Sequence, residues 1–270
     1  MHGEKRKRTE SKQEEIDQNS FITHTFSECV ENHAGMQTLG MKRAVGLSAS
    51  ALSESAAKFP WMAVVYTLEM NDQKAVVVVF RGGVDYLLGN RGADDLFSES
   101  KAQQFDTQFL NTRRNVIQNK HGRMNNCYAD MSQDPDIPQG KGTVINFDSA
   151  PKMKELRAKI PILLGTETEG LYAETNYYKD VRRREVGIGF HGDGERNVVV
   201  GVRLGEASLP IRFQWYHKSK PISDEIPIEL HHGDVYAFSH TAVGGDWMCP
   251  SKTTLRHGVG RKAVTRAIGA

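Results

Sequence analysis

Val186-Gly187-Ile188-Gly189-Phe190-His191-Gly192-Asp193-Gly194-Glu195 reads as a short apolar strand running into a glycine-spaced His-x-Asp. Residues i and i+2 of an extended segment point to the same side, so the imidazole of His191 and the carboxylate of Asp193 can reach one ion. Two histidines and one carboxylate on one face of a metal leave three positions open, the donor set of mononuclear non-haem Fe(II) oxygenases. The triplet alone is weak: a chain with 10 histidines and 33 acidic residues is expected to hold one by chance, and His232-Gly233-Asp234 is a second copy.

The chain downstream of each copy separates them. From Tyr172 onward, strand patterns succeed one another at 186–190, 197–204, 211–216, 226–230, 234–239 and 263–268, with Gly, Pro, Asp and Ser between them. Short strands at even spacing argue for an antiparallel sandwich or barrel. In such a roll the distal histidine comes several strands after the His-x-Asp, and His257 in Leu255-Arg256-His257-Gly258 lies 64 positions beyond Asp193 but only 23 beyond Asp234. His191, Asp193 and His257 are therefore the metal ligands expected, with His240 as the competing distal ligand and His232 as a turn residue. A dicarboxylic cosubstrate needs a cation for its far end, and arginine suits that through bidentate pairing. Arg266, nine residues past His257 in a strand pattern, is the candidate, with Arg261 as the alternative.

The rest of the chain frames this core. The stretch 1–18 carries many charges and almost no apolar groups, so it is expected to be a disordered tail, and 19–270 a single domain. Lys5-Arg6-Lys7-Arg8 could serve nuclear import or be a plain charged tail. Helices are expected over 48–58, over 94–117 and from Asp148 or Ser149 to near Pro161, with Pro151 in the first turn. The class is α+β: a double-stranded β-helix (jelly roll) core in the C-terminal half, about 172–270, with N-terminal helices packed around it. No stretch has the length and apolarity of a membrane span or a secretory signal, so a soluble, intracellular protein is expected, most simply a monomer. Cys29, Cys127 and Cys249 form no CxxC pair and read as reduced thiols. A formal charge of +2 demands no nucleic-acid partner, so that case rests on two basic patches, Arg113, Arg114, Lys120 and Arg123, and Arg182 to Arg184.

Five short motifs in order carry a resemblance: Asn176-Tyr177-Tyr178, Gly189 to Glu195, Arg203-Leu204-Gly205, Phe213-Gln214-Trp215 and His232-Gly233-Asp234. Together they resemble the core of the AlkB family of Fe(II)- and 2-oxoglutarate-dependent dioxygenases, over about residues 121–266. The resemblance implies that Asn176 and Tyr178 bind 2-oxoglutarate, that Arg266 takes its distal carboxylate, and that Glu195 faces the substrate. Arg123 to Asp130 is similar to the family's substrate lid, which puts Arg123 and Tyr128 at the substrate. It further implies Fe(II), 2-oxoglutarate and O2 as cofactor and cosubstrates, with ascorbate as the reductant in assays.

On that reading 2-oxoglutarate is converted to succinate and CO2 while a substrate C–H bond is hydroxylated, an N-methyl group then leaving as formaldehyde. The substrate class expected first is a methylated base in DNA or RNA, as in DNA repair, single-stranded or flipped out, with Tyr128 or Trp247 stacking on it and the basic patches on phosphates. Hydroxylation of a protein side chain or small molecule by the same centre is the alternative. A non-enzymatic jelly-roll binding module with structural histidines is a third.

Overall fold

The run Ala75-Val76-Val77-Val78-Val79-Phe80 is apolar at every position, which suits a strand covered on both faces. In the computed structural model, which describes residues 18–207 and 209–260, it forms most of β5 (Gln73–Phe80). Val76, Val78 and Phe80 enter one core, and Ala75, Val77 and Val79 enter another on the opposite face. Its sheet runs in the order β4 (Ala63–Met70), β5, β16 (Val235–Phe238), β12 (Val199–Leu204), β1 (Phe21–Ser27), β10 (Tyr172–Tyr178), β8 (Met124–Ala129) and β9 (Val144–Asn146). Neighbours pair antiparallel except β8 with β9.

A second, smaller sheet joins β11 (Gly187–His191), β17 (Thr253–Gly260), β13 (Ile211–His217) and β14 (Lys220–Pro221), with β15 (Ile226–Ile228) also on β13. Phe213, Trp215 and Leu255 of this sheet meet Val77, Val79 and Phe238 of the large one, closing a sandwich. The other face of the large sheet is covered by α1 (Ala49–Ala57), α2 (Gly83–Leu88), α3 (Gly92–Lys101) and α4 (Pro151–Leu164). Leu52, Val84, Leu96, Met153 and Leu156 from these helices share one core with Val78, Val200 and Val202. A short α5 (His240–Val243) comes after β16, and two hairpins, β2 (Cys29–Glu31) with β3 (Thr38–Gly40) and β6 (Gln108–Asn111) with β7 (Val116–Asn119), complete the described strands. The class is thus mixed α+β and mainly β, and among the described residues no helix is long and apolar enough to cross a membrane.

Local chemistry explains most boundaries. Ser48 caps α1, its hydroxyl accepting from the Ala51 N–H at 3.0 Å. Pro151 opens α4, as expected, but the helix continues past Pro161 to Leu164, because a proline one turn from the end removes only one intrahelical bond. The helix expected over 94–117 is a correction: it ends at Lys101, and residues 108–119 form the β6–β7 hairpin instead. Paired residues such as Leu110 and Ile117 favour a strand, and Asn115 takes a positive φ of 50° at the tip. Nor is the sheet confined to residues after 172, since β1, β4, β5, β8 and β9 all contribute to it. The tail expected over 1–18, apart from Gln18, and the strand expected over 263–268 lie outside the described residues.

His24 ties the helix layer to the sheet. On β1 it is fully buried, with Nδ1 2.8 Å from the Thr175 hydroxyl and Nε2 2.9 Å from the Ser100 hydroxyl of α3. Burial lowers its imidazole from the usual 6.5 to about 3. Below the ordinary histidine value the unfolded chain takes up a proton that the folded chain refuses, so stability falls as the pH drops from about 6.5 toward about 3. His24→Gln is expected to cost about 1–3 kcal/mol near neutral pH through the lost pair of bonds. It should also flatten that acid limb, and denaturant midpoints of both proteins across pH would show whether it does.

Candidate metal centre

β11 carries His191 at its end, and β17 lies beside it with His257 directly opposite. The register shifts between Ile188 and His191, an irregularity of the kind that re-aims a side chain at a sheet edge. The two imidazole centroids are 4.6 Å apart. Asp193 stands beyond the strand end, its backbone N–H donating to the Val243 carbonyl of α5 at 3.0 Å. Gly192 makes this approach possible, since a Cβ there would lie 1.9 Å from the Gly244 carbonyl oxygen.

The side chains converge. Asp193 Oδ1 is 3.5 Å from His191 Nε2 and 3.7 Å from His257 Nε2, and one donor atom from each residue falls within a 4.8 Å cluster. Three donors on one face of an octahedral cation are separated by about 3 Å, so a small contraction would bring these onto an ion. His191 Nδ1 lies 2.8 Å from the Gly189 carbonyl, which holds the proton on Nδ1 and turns Nε2 as a lone pair toward the centre. His257 Nδ1 is buried without a partner among the described residues.

Charges around the centre favour a cation. Burial, then His257, lowers the His191 imidazole to about 4 against the pull of Asp193. Burial alone would raise Asp193, but Arg196, His257 and His191 together hold it well below the usual carboxylate range. At neutral pH His191 is therefore a neutral imidazole beside an ionised Asp193.

A cavity of about 530 Å³ opens above the cluster between the two sheets. Its walls carry Glu31, Glu174, Asp193 and Glu195 against Arg123 and Arg196. Arg196 is buried and bridges Glu174 at 2.7 Å and Glu195 at 2.5 Å. Burial and the neighbouring Glu195 and Glu174 push the Glu31 carboxyl up to about 7, and burial raises Glu195. The loop from Asp193 to β12 is pinned from below by Glu28, whose carboxylate accepts from the backbone N–H of Asn197 at 2.7 Å and of Val198 at 3.0 Å. Burial alone would raise Glu28, but those bonds and the Ser27 hydroxyl more than offset it.

The sequence-derived candidates divide. Asn176, Tyr178, Glu195, Arg123 and Trp247 line the cavity with the three candidate ligands. Asn176 accepts from Arg123 Nε, and Tyr178 stacks on Phe21 at 4.2 Å. Tyr128 is a correction: it points to the helix-covered face of the sheet, fully buried and tilted against Phe147, and does not reach the cavity. His232 is held in a turn by the Gly205 N–H at 2.8 Å and by Asp94 at 3.2 Å, while Asp234 pairs with Arg81 at 2.5 Å. His240 opens α5 outside the cluster. Arg113 and Arg114 sit at the tip of the β6–β7 hairpin rather than on a helix, and Arg182 and Arg183 are paired locally with Asp180 and Glu185. Arg261 and Arg266 lie outside the described residues. Sequence reasoning missed Glu31, Glu174, Arg196 and the cavity-facing Thr23 and Thr25 of β1, none of which sits in a motif.

This is a mixed α+β protein with a His-Asp-His cluster at the mouth of a sandwich. Over 250 residues, 88% of this chain and 95% of the relative, it is 36% identical to "Uncharacterized protein R156" of Acanthamoeba polyphaga mimivirus, and the chain belongs to that protein's family. No family model matches the chain.

Metal uptake checks the cluster directly. Metal-free protein is expected to bind a single Mn(II) or Ni(II) by calorimetry at neutral pH. Affinity should fall as the pH approaches about 4, where His191 takes up its proton. Asp193→Ala and His257→Ala should abolish uptake, and His232→Ala and His240→Ala should not.

Proposed function

We propose that this protein is a mononuclear Fe(II) oxygenase of the AlkB type, using 2-oxoglutarate and O2 to oxidise a C–H bond of its substrate. The observation that carries the reading is the cluster itself: two imidazoles and one carboxylate, turned to one face, opening on a cavity large enough for a cosubstrate and a substrate group. When bound, Fe(II) with 2-oxoglutarate and O2 supplies hydroxylation of an unactivated C–H bond, with succinate and CO2 as the other products. His191, Asp193 and His257 would hold it.

The chain's own residues would do the rest. The bond from His191 to Gly189 fixes the ring, and the Asp193 backbone bond to Val243 fixes the carboxylate, so the donors are set before metal arrives. Asn176 and Tyr178 sit on adjacent inward positions of β10, on the wall where a cosubstrate would lie. Trp247 and Phe238 give that space an apolar side that excludes water.

The strand order supports the same class. From β10 onward the chain passes back and forth between the sheets, with β10, β12 and β16 in the large one and β11, β13 to β15 and β17 in the small one, an arrangement compatible with a double-stranded β-helix. In such a roll the strand after β17 would return between β10 and β12, and β1 fills that place.

The excess of carboxylates at the mouth favours a substrate whose oxidised carbon is carried on a positively charged nitrogen. A methylated, cationic nucleobase in single-stranded or flipped-out nucleic acid fits that requirement, with Lys120 and Arg123 along the adjoining groove for phosphate. A methylated side chain of a protein, or a small cation, meets it equally and is the second reading.

Fe(II)-loaded protein given 2-oxoglutarate and O2 is expected to release succinate slowly without substrate, and His191→Ala or Asp193→Ala to release none. No succinate above the Asp193→Ala background would sink the oxygenase reading and leave a binding module. Mass spectrometry of methylated oligonucleotides and methylated peptides in the same mixture then chooses the substrate class, by loss of a methyl mass from one set only.

A further inference from the structure

Met70 and Gln73 flank a two-residue turn, Asn71-Asp72, and β4 pairs with β5 without a break from there back to Ala63 and Phe80. In a hairpin closed by two residues the flanking pair is hydrogen-bonded, and bonded and non-bonded pairs then alternate. Val64, Tyr66, Leu68 and Met70 therefore turn their backbone groups toward β5, and Val65, Thr67 and Glu69 turn theirs away. Two contacts agree with this parity. The Arg81 N–H donates to the Met62 carbonyl at 2.8 Å. Val76, opposite Thr67, bonds instead to Ser239, its N–H donating to the hydroxyl at 2.9 Å and its carbonyl accepting from the Ser239 N–H at 2.8 Å.

β4 ends the large sheet, so among the described residues no strand lies beside that outward row. The row is closed upstream by the Ala63 N–H, which donates to the Phe59 carbonyl at 2.9 Å, and this leaves Val65, Thr67 and Glu69 as the free edge. Natural sheets blunt such an edge with a proline, a bulge or charges. β4 has no proline and no register shift, and its single charge, Glu69, is tied back to Lys74 of β5 at 3.8 Å. Apolar groups are exposed beside the edge instead, Val64 on one face and Val65 on the other. Next to them stand Trp61, 69% exposed, and Tyr86 of α2, both edge-on to the Phe59 ring.

We propose that this edge is the interface of a homodimer, in which β4 pairs antiparallel with β4 of a second copy about a two-fold axis at Thr67. The free groups choose the occupant, because three residues centred on Thr67 are complementary to themselves. Thr67 faces its own counterpart and Val65 faces the second copy's Glu69, so every free N–H and C=O finds a partner. Tyr66 then lies opposite Leu68 and Val64 opposite Met70, apolar pairs that continue the core around Leu68 across the axis. No like charges are set opposite one another. The chain's own segment 1–17 suits the edge poorly, since it is charged at most positions. An eight-residue edge is about 27 Å long, and with Trp61 and Tyr86 beside it each copy would bury on the order of 700 Å², near the size of a standard interface. The inference is independent of the oxygenase reading, because no residue of β4 lines the cavity.

Sedimentation of the full chain tests it, under reductant so that Cys249 cannot cross-link two copies, from about 1 to about 100 µM, a range that spans a weak interface of this size. Wild type should pass from monomer to dimer, reaching twice 30.2 kDa. Thr67→Pro removes the central outward N–H at a position where an edge strand tolerates proline, and Thr67→Lys sets two ammonium groups face to face. Each should weaken association about tenfold or more with circular dichroism unchanged. Ile162→Lys, on the exposed side of α4, should associate as wild type does. In wild type, amide exchange over 63–70 should slow as concentration rises, a reading that needs no variant to fold. A wild type still monomeric at about 100 µM overturns the proposal. So do undiminished association of both Thr67 variants, equal loss in Ile162→Lys, or exchange over 63–70 that ignores concentration.

Discussion

The pairing of β11 with β17 is the constraint on which the site depends. It puts His191 and His257 at partner positions of adjacent strands, with the ring centroids 4.6 Å apart. Neither strand could hold this register alone. β17 is itself fixed by seven residue pairs with β13, and that sheet is pressed by Phe213, Trp215 and Leu255 onto the large sheet behind it. The large sheet is in turn buried on both faces, Val76, Val78 and Phe80 of β5 entering one core and Val77 and Val79 the other.

Around that frame the polar groups are held more tightly than a surface site would require. Glu28, Glu174, Asp193, Arg196 and Arg203 are all buried, and the first four are satisfied by backbone N–H groups or by one another. Arg203 alone of these five keeps unpartnered donors. Networks of this kind stabilise little in net terms but enforce one arrangement, because any other leaves a charge buried and unpaired.

The candidate ligands were legible because each rests on local spacing. His191 and Asp193 are two apart on an extended segment, and the number of strands that must precede His257 chose their His-x-Asp over His232-Gly233-Asp234. Asn176, Tyr178 and Glu195 were found through motif order, and they line the cavity. Tyr128 was misplaced because strand parity is invisible in a motif: on β8 it points to the helices, one face away from Asn125 and Asn176. The stretch 94–117 was misread because its charged first half is helical, and the turn signal of Asn115, which takes a positive φ at the hairpin tip, was passed over.

By itself, then, the amino-acid sequence determined what short-range physics controls: the capped and proline-opened helices, the apolar strands, and a His-x-Asp whose two side chains face one way. Tertiary structure alone decided the rest. Thr23 and Thr25 reach the cavity because β1 inserts between β10 and β12, a contact between segments about 150 residues or more apart. Such pairings are chosen by which faces can be buried together, and no local pattern records that choice.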